Sequence, residues 1–111
     1  KTYKGFFAEN FVLQEFLASG ISNTYCWQGR TSEVEFIIQT NKGEIIPIEV
    51  KSGSVTHSKS LSIYSKKYEP PFSMIISSKN EGKKTRRWYV PLYATGNPLK
   101  HQLDGVDLHY T

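Results

Sequence analysis

The sequence is poor in cysteine, methionine and long apolar runs, and these shortages exclude several classes of protein. Its 111 residues contain one cysteine, Cys26, so an internal disulfide is impossible, and no Cys and His spacing is typical of a zinc site. No apolar run approaches the roughly 18 residues of a membrane-spanning helix, and the 14% aromatic content argues against disorder. We therefore expect a single cytoplasmic domain over residues 1–111. Because the chain begins with Lys1 and its one methionine is Met74, we expect it to be a piece of a longer protein.

Acidic residues are scarce between residues 51 and 87, but not in the first fifty residues. Residues 51–87 contain nine Lys or Arg and only two acids, whereas residues 1–50 contain six acids and four bases. A basic second half beside an acidic first half suits a polyanionic partner whose chemistry needs carboxylates, and DNA is the partner we expect. A solvated charged face is the alternative interpretation of the same distribution.

Periodicity and turn residues predict a small α/β domain with a mixed sheet. Gly20 is placed to end a first helix, and Pro70 and Pro71 are placed to end a second. The predicted elements are helices over residues 4–19 and 58–68, strands over 25–27, 33–40, 44–51, 72–77 and 87–93, and a basic loop over 79–85. Since two of the strands form a hairpin, the sheet is mixed rather than purely parallel.

A carboxylate lies on the apolar stripe of the first predicted helix. At about 100° per residue, Glu9 falls among the apolar side chains Phe6, Val12, Leu13, Phe16 and Leu17. Burying a carboxylate costs several kcal/mol unless it is paired or binds a cation. Glu9 is therefore a site residue, or it pairs with a buried Lys or Arg, or it caps the backbone.

The hairpin formed by residues 33–40 and 44–51 has a predictable register. The odd loop Asn41-Lys42-Gly43, with Gly at the left-handed position, makes paired residue numbers sum to 84 and puts both apolar sets on one side. The predicted apolar pairs are Val34 with Val50, Phe36 with Ile48, and Ile38 with Ile46. The same register sets Glu35 opposite Glu49 and Glu33 opposite Lys51.

Two facing carboxylates need a proton, a cation or a metal ion, because cross-strand Cβ atoms are only about 5 Å apart. Mg²⁺ or Mn²⁺ bound by Glu35, Glu49 and a backbone carbonyl such as that of Val50 would meet this need with hard oxygen ligands. Such an ion could polarise a phosphoryl oxygen and activate water, while Lys51 stabilises the developing negative charge. The alternative is a solvent-facing hairpin with a Glu33–Lys51 ion pair.

On these residues the chain resembles the PD-(D/E)XK, or restriction-endonuclease-like, superfamily. More narrowly, it resembles a C-terminal domain of unknown function found behind a P-loop AAA-type ATPase in many bacteria and archaea. The strings that carry this resemblance are Glu9-Asn10-Phe11-Val12, Ser32-Glu33-Val34-Glu35-Phe36, Ile46-Pro47-Ile48-Glu49-Val50-Lys51-Ser52-Gly53, and Ser60-Leu61 with Lys67-Tyr68. The resemblance covers residues 5–94.

The resemblance implies a restriction-endonuclease-like αβββαβ core with a mixed central sheet flanked by helices, and a P-loop ATPase domain as partner on the parent chain. It implies that Glu35 is the metal-binding acid, Glu49 the second acid, Lys51 the catalytic lysine and Glu9 the helix acid. The family more often has Asp where this chain has Glu35, and no Pro precedes it. The longer side chain would move the ion by about one methylene, and errors near ~1 Å can cost ~10²-fold in rate.

Basic and aromatic side chains outside this motif are candidates for nucleic-acid contacts. The phosphate-contact candidates are Arg30, Lys83, Lys84, Arg86 and Arg87, with a solvated loop as the alternative for the last four. Trp27 and Trp88 are interpreted as buried sheet aromatics, although either could stack on bases. Cys26 is predicted to be a small core residue rather than a nucleophile.

Three functions fit the sequence. The first is a Mg²⁺- or Mn²⁺-dependent phosphodiesterase acting on DNA, with Glu9, Glu35, Glu49 and Lys51 as its site. The second is a catalytically weak module of the same fold that binds DNA through its basic half. The third is a structural role against the parent ATPase, without nucleic acid.

Overall fold

The fold is a six-stranded sheet with one α-helix on each face, as seen in a computed structural model that describes residues 3–21, 24–40, 43–53, 58–78, 82–84 and 87–96. The elements are α1 (Tyr3–Ala18), β1 (Thr24–Gln28), β2 (Glu33–Gln39), β3 (Ile45–Val50), α2 (Lys59–Tyr68), β4 (Ser73–Ser77), β5 (Gly82–Lys84), β6 (Arg87–Pro91) and a 3₁₀ turn (Leu92–Ala94). Within the described residues, neither helix is long and apolar enough to cross a membrane.

The sheet is mixed, which confirms the predicted α/β class. Its strand order is β1-β2-β3-β4-β6-β5. β1, β2 and β3 are antiparallel neighbours, β3, β4 and β6 are parallel, and β5 is antiparallel to β6. The parallel β3–β4 pair needs a crossover, and α2 supplies it. The first six elements therefore follow the order αβββαβ.

Two apolar clusters, one on each face of the sheet, form the core. On the α1 face, buried α1 side chains pack against alternate residues of the central strands: Val12, Phe16, Phe36, Ile38, Ile46, Ile48, Phe72, Met74, Ile76, Trp88 and Val90. On the α2 face the buried set is Val34, Ile37, Leu61, Tyr64 and Ile75. Because both faces of β2, β3 and β4 are covered, these strands hold the candidate site on a rigid support.

The hairpin register predicted from the sequence is confirmed where β2 and β3 pair. Phe36 lies opposite Ile48 and Ile38 lies opposite Ile46, so paired numbers sum to 84. Gly43 has a φ of 83°, the left-handed value that this turn needs and that glycine adopts without steric cost. The turn chemistry therefore sets which residues of the two strands are neighbours.

A β-bulge in β2 overturns one part of the prediction. The β1–β2 partners are Thr24 with Ile38, Tyr25 with Ile37, Trp27 with Val34, and Gln28 with Glu33. Glu35 and Phe36 of β2 thus lie opposite the single residue Cys26 of β1. The predicted common face of Val34 with Phe36 and Ile38 is wrong, because the extra residue turns Val34 to the α2 face, where it is fully buried.

Three smaller expectations also differ from the structure. Leu17 is 52% exposed, so it is not part of the apolar stripe that packs α1 on the sheet. Cys26 is exposed rather than a core residue, because it lies on an edge strand. Gly82–Lys84, predicted as part of a loop, forms a strand because it pairs with β6.

Trp88 is 3% exposed, which confirms it as a buried sheet aromatic.

Candidate functional site

The candidate site lies at the open end of the β2–β3 hairpin, away from its turn. β2 begins at Glu33 and β3 ends at Val50, and antiparallel pairing brings these two ends to the same edge of the sheet. Glu35 is the third residue of β2, Glu49 is the fifth of β3, and Lys51 follows β3 directly. The sequence motif is therefore gathered at one edge by the hairpin alone.

The first half of α1 joins this edge through a cleft of about 350 Å³. Its lining residues come from α1, β1 and the start of β2: Glu9, Asn10, Leu13, Cys26, Glu33, Glu35 and Phe36. Glu9 and Glu35 are both half-buried, so the structure brings the predicted helix acid and the predicted metal-binding acid to one cleft. The bulge contributes to this arrangement because it gives β2 an extra residue beside Cys26.

Glu49 and Lys51 form an ion pair at the end of β3. Lys51 Nζ lies 3.3 Å from Glu49 Oε1, and the two side chains are 31% and 18% exposed, respectively. Residues two apart on a strand share a face, so this pairing follows from the Glu-Val-Lys spacing. The Lys51 amide also donates to the Ile76 carbonyl at 2.8 Å, which fixes the backbone of Lys51 against β4.

The two halves of the site approach the edge from different faces of the sheet. Glu35 lines the cleft on the α1 face, whereas alternation along β3 places Glu49 on the face of its β4 partner Ile75. Strict alternation along β2 predicts that Glu35 and Glu49 share a face. The bulge breaks that alternation at Glu35, which is why the shared face is not obtained.

Among the described residues, no three His, Cys, Asp or Glu side chains are grouped closely enough to hold a metal ion. Mg²⁺ does not need such a group, because it usually takes one or two protein carboxylates and completes its shell with water and substrate phosphate. Glu9 and Glu35, which line one cleft, provide two carboxylates of this kind, whereas Glu49 lies on the other face of the sheet. The donor chemistry of the edge therefore fits a small hard cation.

The predicted phosphate contacts separate into two locations. Arg30 is exposed in the turn between β1 and β2, at the same edge as Glu33, and the turn is closed by the Gly29 amide donating to Ser32 O at 2.7 Å. Arg87 instead lies at the start of β6, where its Nε donates to Ser73 Oγ at 3.0 Å. Arg30 thus shares the edge of the acids and Arg87 does not, since β6 runs parallel to β3 and begins at the other end.

The remaining basic candidates belong to the same distant region or are not described. Lys84 pairs with Arg87 and Lys83 pairs with Trp88 in the β5–β6 ladder, at the edge of the sheet farthest from β1. Arg86 lies outside the described residues. The described basic residues that are close together in this part of the sequence therefore lie away from the strand ends that carry Glu35 and Glu49.

Asn10 also lines the cleft, although the sequence motif does not mark it as a site residue. It follows Glu9 on α1 and lines the same cleft. Its amide group adds polar donor and acceptor atoms beside two carboxylates. The sequence signal for Asn10 is its position: it is next to Glu9 on a helix whose Val12 and Phe16 pack against the sheet.

Comparison with known proteins places most of the chain in one family. A family model described as domain of unknown function (DUF4143) matches residues 4–95. The match includes Glu9, Glu35, Glu49 and Lys51. Neither the curated proteins nor the solved structures include a match to the chain.

Proposed function

The chain belongs to the DUF4143 family of domains, and we propose that it is a PD-(D/E)XK-type module that acts as a divalent-metal-dependent DNA phosphodiesterase. The observation that carries this proposal is that one cleft holds Glu9 and Glu35 while the Glu49–Lys51 ion pair lies at the same end of the neighbouring strand. An αβββαβ element order with acids at the open end of the central hairpin supports a restriction-endonuclease-like fold.

Glu9 and Glu35, which line one cleft, are the residues that would hold Mg²⁺ or Mn²⁺. The bound ion would supply Lewis-acid polarisation of a phosphoryl oxygen and a lowered pKa for water. The two carboxylates would neutralise its charge and fix its place in the cleft. Glu49 adds a third negative charge on the other face of the sheet, where it pairs with Lys51.

Lys51 is the residue that would stabilise negative charge on the attacked phosphate. Its ammonium is held 3.3 Å from Glu49, so a phosphate close to Glu49 also lies close to a fixed positive charge. A positioned cation of this kind lowers the barrier because charge develops on the phosphoryl oxygens in the transition state. Arg30, exposed on the neighbouring turn, would contact an adjacent phosphate.

Cleavage of plasmid and single-stranded DNA in the presence of Mn²⁺ tests the enzymatic proposal. The wild-type chain is expected to cut, while Glu49→Ala and Lys51→Ala lose at least about 10²-fold in rate. Glu44→Ala is the matched control, because Glu44 is a half-buried acid at the turn end of the same hairpin. Equal activity in the wild type and both site variants would reject this mechanism.

A catalytically weak binding module is the second candidate. It is favoured by the placement of Glu35 and Glu49 on different faces of the sheet. This candidate predicts salt-dependent DNA binding that persists in Glu49→Ala and weakens when Lys83, Lys84, Arg86 and Arg87 are neutralised. Docking against a P-loop ATPase on the parent chain, with no DNA binding at low salt, would favour the structural role instead.

A further inference from the structure

An aromatic cluster links the edge strand β1 to the last turns of α2. The Trp27 ring lies edge-on to two tyrosines, with centroids 5.4 Å from Tyr64 and 6.1 Å from Tyr68. The tyrosine rings are 4.7 Å apart, and Trp27 Nε1 donates to Tyr68 Oη at 3.2 Å. These contacts hold the three rings in a fixed arrangement beside the turn that carries Arg30.

The cluster has a buried side and an open side. Tyr64 is 7% exposed and packs with the α2-face core, whereas Tyr68 is 48% exposed. Core packing explains Tyr64 but leaves about half of the Tyr68 side chain in contact with solvent. An exposed ring that is held by its neighbours is a surface on which a planar group can stack at low entropic cost.

A cation lies beside the exposed ring. Lys67 Nζ lies 5.4 Å from the Tyr68 ring centroid, and Lys66 precedes Lys67 in the last turn of α2. On the β1 side, the Gly29 backbone is so close to the Trp27 ring that an added Cβ would lie 2.3 Å from Cη2, and the exposed Arg30 follows Gly29 in the chain. Glu69, which follows Tyr68, is the acidic neighbour in the chain.

We propose that this aromatic cluster binds an unpaired nucleobase, and hence that the nucleic acid engaged by the domain is single-stranded. This proposal rests on the proposed function and names its substrate class. A base would stack on Tyr68 in place of the Lys67 ammonium, which would then contact the backbone phosphate beside that base. A duplex hides the faces of its bases, so stacking of this kind selects single strands.

Fluorescence anisotropy with a labelled oligothymidylate, in EDTA so that no cleavage occurs, tests this inference. The wild type is expected to bind the single strand more tightly than a duplex of equal length. Tyr68→Ala is expected to weaken binding roughly 5- to 150-fold, the range found when one stacked base is lost. Tyr68→Phe keeps the ring and is expected to bind within about threefold of wild type.

Phe7→Ala is the matched control, because Phe7 is an aromatic residue with 56% exposure on α1, across the sheet. It is expected to leave binding unchanged. Unchanged binding in Tyr68→Ala, an equal loss in Phe7→Ala, or duplex binding as tight as single-strand binding would each overturn the proposal.

A second measurement uses the wild-type chain and needs no variant. The chain has two tryptophans, and Trp88 is 3% exposed, so acrylamide quenching reports mainly on Trp27. Saturation with oligothymidylate is expected to reduce that quenching, and an unchanged quenching constant would contradict the assignment. Because binding is measured in EDTA, a chain that binds single strands through Tyr68 but does not cleave DNA with Mn²⁺ would reject the proposed activity and support base stacking.

Discussion

Gly29 shows how a single residue sets the position of the Trp27 ring. A Cβ added at Gly29 would lie 2.3 Å from Cη2 of Trp27, closer than side-chain contacts allow. We predict that Gly29→Ala lowers the free energy of unfolding by about 1–3 kcal/mol, the usual cost of overpacking. Urea unfolding followed by tryptophan fluorescence measures this change.

Gly53→Ala is the matched control for this substitution. No described atom lies within 4 Å of a Cβ added at Gly53, so its effect is expected to stay within about 0.5 kcal/mol. Equal unfolding free energies for Gly29→Ala and the wild type would mean that the turn and the Trp27 ring are not in close contact.

Tyr64 gives the cluster a pH dependence at the alkaline end. Burial raises the pKa of the Tyr64 phenol above its usual 10.0, and the neighbouring Tyr68 raises that pKa further. The folded state therefore disfavours the phenolate, so stability is fully present below pH 10 and falls as the pH rises toward the folded-state pKa. We predict that Tyr64→Phe loses less stability between pH 9 and pH 11 than the wild type.

Chemical denaturation across this pH range provides the measurement, with Tyr25→Phe as the control on an exposed tyrosine of β1. Tyr25 is 55% exposed, so its replacement removes a phenol hydroxyl outside the buried cluster. Parallel slopes for the wild type and Tyr64→Phe would show that the Tyr64 phenol ionises as it does in the unfolded chain.

At the scale of elements, α2 depends on its N-cap residue, Ser58. Ser58 is 3% exposed, and its Oγ accepts from the Leu61 amide at 3.1 Å. We predict that Ser58→Ala lowers the free energy of unfolding by about 1 kcal/mol, because an amide at the helix start loses its partner. Ser62→Ala is the control, since Ser62 Oγ donates to the Ser58 carbonyl within the helix and is exposed. Equal unfolding free energies for Ser58→Ala and Ser62→Ala would contradict a stabilising role for the Ser58 N-cap.

The elements that follow from local patterns were predictable, and the irregular one was not. The loop with Gly43 sets the β2–β3 register, and Pro70 and Pro71 follow shortly after α2 ends at Tyr68, as predicted. The bulge at Glu35 depends on how β2 pairs with β1, which is a tertiary contact between strands joined by a turn. No glycine or proline in Glu33–Gln39 marks it, so alternation alone gave the wrong face for Val34.

At the scale of the whole molecule, topology decides which charges can act together. Sequence motifs singled out Glu9, Glu35, Glu49 and Lys51, and the fold brings Glu9 and Glu35 to one cleft and pairs Glu49 with Lys51. The basic residues near the end of the chain could not be placed from the sequence, because their position depends on the parallel pairing of β6 with β4. That pairing puts Arg87 at the strand start, away from the acids, while Arg30 remains beside them.

The cation site at the open end of the hairpin is the central claim, and calorimetric titration with Mn²⁺ tests it most directly. The wild type and Glu69→Gln, which changes an exposed acid at the end of α2, are expected to bind Mn²⁺ equally. Glu9→Gln and Glu35→Gln are each expected to bind at least about tenfold more weakly, since each loses a charged ligand from the cleft. Binding by Glu35→Gln with the affinity of the wild type would contradict the account.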